Sequence, residues 1–159
     1  MKPGKIRALA LGIFRKDDQI LVFEAHDPIK NKAFYRPLGG TIEFGEYGHQ
    51  ALAREMREEL DVEVTNVHYF GLCENIFTYA GAMGHEIVLL YEASITDKSV
   101  YEQEQLVGHE LDGSPIHVVW KSLEFFRRGS APLYPDGLMS LLDHAGEGKQ
   151  ESCSVEKEG

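Results

Sequence analysis

The chain has 159 residues, of which 43% are hydrophobic, 10% aromatic and 26% charged, and its formal net charge is −10. That length suits one compact domain and is too short for two ordinary ones, and the composition excludes a fibrous or fully disordered chain. The acidic balance excludes unassisted nucleic-acid binding, which needs a Lys/Arg-rich surface, and no stretch approaches the ~20 apolar residues of a membrane span. A phosphate-bearing small molecule would therefore need local Arg and Lys or bound metal ions.

Ile6 to Phe14 and Gln19 to Ala25 are rich in Leu, Ile, Val and Phe, with Asp17-Asp18 between them, which predicts a hairpin. Lys2 and Lys5 precede the apolar run Ala8 to Phe14, but the run is short and leads into Arg15-Lys16-Asp17-Asp18, the pattern of a first strand rather than a signal peptide. Phe34 to Leu38 is a short extended piece ended by Gly39-Gly40, a pair suited to backbone geometry that a side chain would forbid. A loop through Gly45 and Gly48 follows. His49 to Leu60 predicts a helix, with Leu52, Met56 and Leu60 in an i, i+4, i+8 apolar stripe.

Val62 to Thr65, Val67 to Phe77 and Glu86 to Ile95 read as strands, separated by Asn66 and by a Gly81 to Gly84 loop. Asp97 to Gly113 is a long polar segment holding Glu102, Glu104, Glu110 and Asp112, and a loop of that length in a small domain is often functional. Ile116 to Trp120 predicts another strand. Leu123 to Phe126 and Asp136 to His144, the latter following Pro135, predict short helices. Residues 145 to 159 have almost no apolar residues, the composition of a disordered tail, which leaves residues 1 to 144 as the domain. Strands mixed with two or three helices imply an α/β or α+β sandwich. Cys73 and Cys153 lie in no zinc or C-x-x-C pattern, so two free thiols and a reducing, cytoplasmic setting are expected.

The chemistry concentrates on the predicted helix. At ~100° per residue, Glu55, Glu58 and Glu59 occupy one arc beside the apolar stripe. Like charges at this spacing repel, so Arg54, Arg57 or a bound cation must compensate them. Taken alone, the cluster reads first as a solvated face with Glu/Arg pairs such as Arg54 to Glu58, since charge clusters are usually surface solvation. Three converging carboxylates also suit hard cations such as Mg²⁺ or Mn²⁺.

The wider context decides between these readings. Gly40, Glu46, Arg54-Glu55-Met56, Glu58-Glu59 and Asp61-Val62 reproduce the spacing of the box G-x5-E-x7-R-E-U-x-E-E-x-G-U, where U is a bulky aliphatic residue. In this the sequence resembles the Nudix hydrolase family. One fixed position departs: Asp61 stands where the family has Gly, at the helix C-terminus, and Asp tolerates the left-handed conformation better than most residues. The outer strand pattern and the late helix are also similar to the family's α/β/α sandwich with a mixed β-sheet, over roughly residues 5 to 143.

The resemblance implies a metal-dependent hydrolase that cleaves a diphosphate linkage in a nucleoside diphosphate joined to another moiety, with Mg²⁺ or Mn²⁺ as cofactor. It implies that Glu55, Glu58 and Glu59 bind metal, with the Gly39 carbonyl as a further ligand. Glu46 and Arg54 look like the family's orienting pair, and a plain loop-stabilising ion pair is the alternative. Family members differ in the general base, which leaves Glu58, Glu59, Glu102, Glu104 and Glu110 open. The resemblance is compatible with a homodimer and with a nucleotide-binding module that no longer catalyses, although all three box carboxylates are present.

From the residues alone, Arg36 is a candidate phosphate ligand, since guanidinium holds phosphate oxygens in a fork. Phe34, Tyr35, Phe44 and Tyr47 offer faces for base stacking or for the core, and Phe44 and Tyr47, lying in the loop, are the better stacking candidates. The substrate's identity is encoded in no second motif.

Overall fold

In a computed structural model that describes residues 4–151, the chain folds around one mixed sheet whose central strands pack against a core on each face. The strands are β1 (Ile6–Ile13), β2 (Arg15–Lys16), β3 (Gln19–Asp27), β4 (Lys32–Thr41), β5 (Val64–Tyr79), β6 (Ala82–Ile95), β7 (Gln105–His109) and β8 (Pro115–Ser122). Their order is β5-β6-β1-β4-β3-β8-β7, with β2 paired to β3. Among the pairings of these named strands only β1–β6 is parallel, and an isolated parallel bridge joins Tyr35 to Leu133.

The helices are α1 (Gly48–Leu60), α2 (Leu123–Arg127) and α3 (Leu138–Glu151). Period-two alternation sorts the strand residues between two cores. Ala10 and Leu21 pack with Ala51, Leu52 and Met56 of α1, whereas Leu9, Leu11, Ile20 and Val22 pack with Phe126, Leu138 and Leu142 of α2 and α3. This is an α/β/α sandwich of the α+β class, as the sequence predicts.

The predicted hairpin of Ile6 to Phe14 with Gln19 to Ala25 needs correction. Only its turn forms: β2 pairs with the start of β3 across Asp17, whose φ is 54°, while β1 pairs with β4 and β6. Strand β1 is apolar on both faces, which suits a central position and not a hairpin arm. The short piece at Phe34 extends to ten residues, because β4 serves two partners: Lys32 to Pro37 pairs with β3 and Leu38 to Thr41 with β1. Asn66 does not separate two strands. It takes φ 51° at a register shift within the single strand β5, and Ala80-Gly81, both at positive φ, close the β5–β6 hairpin.

The Asp97 to Gly113 segment is not one long loop either. It holds a 3-10 turn over Lys98–Glu102 and the edge strand β7. Likewise the backbone of α3 continues through Glu151, so residues 145 to 151 are helical where a tail was expected, and the rest of that segment, with Cys153, lies outside the described residues. Cys73 is free and buried, and no described helix is long and apolar enough to cross a membrane.

Two features at the ends of α1 set the site. Gly39 has φ 142°, and a side chain there would run into the Ala10 carbonyl, so the β4 backbone lies hard against β1 just before Gly40. At the other end, Asp61 adopts the left-handed conformation (φ 54°, ψ 42°) and its N–H donates to the Arg57 carbonyl at 3.0 Å, so the turn survives without glycine. Asp61→Gly relieves a left-handed cost of about 1–2 kcal/mol, partly offset by greater freedom of the unfolded chain. Chemical denaturation should show a net gain of about 0.5–1 kcal/mol; a net loss would mean the Asp side chain has a role of its own.

Candidate active site

Arg54 is the hub of the helix face. Its Nε donates to Glu46 Oε2 at 2.9 Å and its Nη2 donates to Glu46 Oε1 at 3.0 Å, a two-pronged pairing. Nη2 also donates to the Thr41 carbonyl at 2.9 Å, tying the helix to the end of β4. Nη1 donates to Glu55 Oε1 at 3.0 Å and to Glu58 Oε2 at 3.1 Å. One guanidinium thus fixes the loop, the strand end and two box carboxylates. The Arg54 hydrogen bonds hold the Glu46 carboxyl down at about 2, and the carboxylates around Arg54 raise its own pKa.

Glu59 has no such partner and is pushed the other way. Burial first, then the charges of Glu55 and Glu110, raise its pKa to about 8. Glu110 arrives from the β7–β8 turn, where its N–H donates to the Ser114 carbonyl at 2.8 Å. The approach is close because Gly108 has no side chain: a Cβ there would run into the Glu59 carbonyl. Glu55, Glu58, Glu59 and Glu110 line one surface pocket together with Leu111 and Asp112. Of the three acidic residues of the 97–113 segment singled out as possible bases, Glu110 faces this pocket, and Glu102 and Glu104 do not line it.

The donor set is all carboxylate oxygen, the chemistry that Mg²⁺ and Mn²⁺ prefer. Gly40 leaves room for it, since a Cβ at that position would sit 2.6 Å from Glu55 Oε1. Gly39, the proposed carbonyl ligand, is the adjacent residue. As the side chains stand, no group of three or more His, Cys, Asp or Glu among the described residues is closed into a metal cage. Arg54 Nη1 occupies one oxygen each of Glu55 and Glu58. The residues fit a divalent ion in the chemistry of their oxygens, and they share one pocket.

Beside this pocket lies a cavity of about 500 Å³, and Glu110 belongs to the wall of both. Arg36 lines the cavity, with its guanidinium 5.8 Å from the Phe23 ring and its Nε buried without a hydrogen-bond partner. Its charge also acts on Glu59, lowering the pKa that burial and the neighbouring carboxylates raise. Phe34 lines the cavity, and its ring meets those of Tyr79 and Tyr134 edge-on at 5.8 Å each. Tyr35 points the other way, into the core against Phe125 and Phe126. Phe44 and Tyr47 are exposed and line neither space, Tyr47 stacking instead on His49 at 5.7 Å.

Sequence reasoning missed Arg7, Asn75, Phe77 and Glu86, which also line the cavity. One signal was available: Asn75 stands at an inward position of a strand, in step with Cys73 and Phe77, where an apolar residue is the ordinary choice.

The model of the NUDIX domain matches residues 4–134, so the chain belongs to the Nudix family. Among curated relatives, the NAD-capped RNA hydrolase NudC of Vibrio vulnificus (strain CMCP6) is 42% identical over 57 residues, 36% of this chain and 21% of that protein. NudC of Pseudomonas aeruginosa (strain LESB58) is 32% identical over 89 residues, 56% of this chain and 29% of that protein. The chain's match therefore spans under a third of each of these relatives. Among solved structures, a NUDIX hydrolase from Nitrosomonas europaea aligns with a TM-score of 0.62 at 18% identity over 91% of each chain. A MutT NUDIX hydrolase from Burkholderia pseudomallei aligns at 0.55 and 17%, over 76% of this chain and 85% of that one. These likenesses show the shared fold.

The Glu46–Arg54 pairing has a defined pH signature. A carboxyl held at about 2 in the folded state, below its unfolded value near 4.5, adds stability that is complete above the unfolded value and lost as pH falls toward 2. Glu46→Gln should therefore cost about 1 kcal/mol at neutral pH. In denaturation curves the difference from wild type should shrink steadily between about pH 4.5 and 2. A cost that stays constant over that range would contradict the pairing.

Proposed function

We propose that the chain is a metal-dependent hydrolase that cleaves the diphosphate linkage of a nucleoside diphosphate joined to another moiety, by attack of water at phosphorus. The observation that carries this reading is the convergence of Glu55, Glu58, Glu59 and Glu110 at the edge of a cavity large enough for a nucleotide-sized group. One guanidinium, Arg54, offsets them only in part.

In this reading Glu55, Glu58 and Glu59, with the Gly39 carbonyl, would hold Mg²⁺ or Mn²⁺. When bound, the ion neutralises the diphosphate and lowers the pKa of a bound water. Arg54 positions Glu55 and Glu58 through its two Nη1 hydrogen bonds and holds the loop through Glu46. Arg36, with a buried donor lacking a partner, binds a phosphate oxygen at the passage to the cavity. Glu110 takes the proton of the attacking water, being the carboxylate of the pocket that lies off the helix. The remainder of the substrate fills the cavity.

The printed name of the NudC relatives concerns proteins of which this match covers under a third, so their substrate is not carried over. The nearest rival is a Nudix-fold nucleotide-binding module. Product formation from nucleoside triphosphates, dinucleoside polyphosphates, nucleotide sugars and ADP-ribose, followed by chromatography of the nucleotide released, with Mg²⁺ or Mn²⁺ and an EDTA control, separates the two. The proposal expects turnover that EDTA abolishes, that Glu58→Gln lowers at least about 100-fold, and that Glu110→Gln lowers about 100-fold in kcat. Nucleotide binding without turnover on any compound would favour the binding module.

A further inference from the structure

The cavity floor carries a row of polar side chains set by strand register. Asn75 of β5 is the cross-strand partner of Glu86 of β6, and Glu86 is the partner of Arg7 of β1, so the three lie side by side across adjacent strands. All three line the cavity. Asn75 is 4% exposed and Glu86 3% exposed, while the Arg7 side chain is half exposed, so two of the three are built into the floor and do not belong to a patch of surface charge.

Existing contacts fix what each side chain still offers. Asn75 Oδ1 accepts the Asp136 N–H at 3.3 Å, which leaves the amide NH₂ as a donor. Glu86 Oε1 accepts from Arg7 Nη2, which leaves Oε2 as an acceptor. Arg7 keeps its other guanidinium N–H groups as donors. Read across the floor, the row is donor, acceptor, donor.

The walls are aromatic. Phe34 and Tyr79 stand over one side, and the Phe77 ring fills the space that a side chain on Gly84 would otherwise take. A planar ring is the natural guest, since stacking holds it by its faces and leaves its edge to the floor. A ring that satisfies the floor must present acceptor, donor, acceptor. An imide edge, C=O, N–H, C=O, does this. Cytosine sets a lone pair against the carboxylate and an amino group against a donor. Adenine meets the same conflict in this register, and guanine sets a second donor where an acceptor is needed.

We propose that Asn75, Glu86 and Arg7 select an imide-edged base, so that the substrate class is a uracil- or thymine-type nucleotide. The assignment deepens the hydrolase reading above and rests on it for the placement of the phosphates at the carboxylates. Mismatched polar groups buried at such a floor are rejected strongly, because each leaves an unpaired donor or acceptor.

The test is calorimetric binding to the full chain, with Mg²⁺, of uridine, thymidine, cytidine, adenosine and guanosine 5′-diphosphates and of N3-methyluridine 5′-diphosphate. Uridine and thymidine diphosphates should bind at least about tenfold tighter than the other bases. N3-methylation, which replaces the imide N–H by a methyl group and leaves both carbonyls, should erase that advantage in the unaltered protein. Glu86→Gln should narrow the uridine to cytidine ratio about tenfold or more. Equal binding of all bases, tighter binding of another base, an indifferent N3-methyl group or no binding at all would overturn the proposal. Hydrolysis of uridine- and adenosine-diphosphate-linked substrates runs in parallel. Turnover without base discrimination would sink the floor's role and leave the hydrolase, whereas base-selective binding without turnover would do the reverse.

Discussion

The structure around the site depends on one guanidinium opposing too many carboxylates. Arg54 binds Glu46, Glu55, Glu58 and the Thr41 carbonyl, yet it does not reach Glu59 or Glu110 in the same pocket, and the charge of Arg36 offsets Glu59 only in part. A charge excess of this kind is costly in a partly buried setting, and the raised pKa of Glu59 is its direct expression. A fold that keeps such an arrangement gains nothing in stability from it. In the proposed reading, the arrangement is a place held ready for a divalent cation and a polyanion together.

The surrounding fold is organised to hold that conflict in place. Strand β4 joins the two halves of the sheet, pairing with β3 by its first six residues and with β1 by its last four. It therefore delivers Arg36 to the cavity and Gly39-Gly40 to the carboxylates on one short piece of chain. Helix α1 is pinned from below by Ala51, Leu52 and Met56, all fully buried, and at its end by β7, which Gly108 allows to lie against the Glu59 backbone. The β3–β4 and β5–β6 hairpins meet through Lys30, whose Nζ donates to the Thr78 carbonyl at 2.9 Å, and the cavity lies between them.

Much of this was legible in the sequence, and the legible part is local. The apolar stripe of α1, the spacing of its three glutamates and the glycine pair before it depend on residues close in the chain, where period and turn chemistry speak directly. Even the Asp61 departure was readable, because a left-handed Asp is a local matter. Strand pairing was not: the double-sided apolar pattern of β1 says that it is central but not which strands flank it. For the same reason the cavity escaped. Arg7, Asn75 and Glu86 are 68 and 11 residues apart in sequence and meet only through the β1–β6 and β5–β6 registers. Phe44 and Tyr47 drew attention by proximity to the box, whereas Phe34 and Phe77, on strands, wall the cavity.

In the proposed function the α1 carboxylates form a cation site. Titration of Mn²⁺ into the protein at pH 7.5, followed by electron paramagnetic resonance of the free ion, tests it without any assumption about substrate. Such a site should give saturable binding that Glu59→Gln or Glu55→Gln weakens at least about tenfold while the variants keep the wild-type fold by circular dichroism. Binding indifferent to both substitutions, or no binding by the wild-type protein, would contradict it.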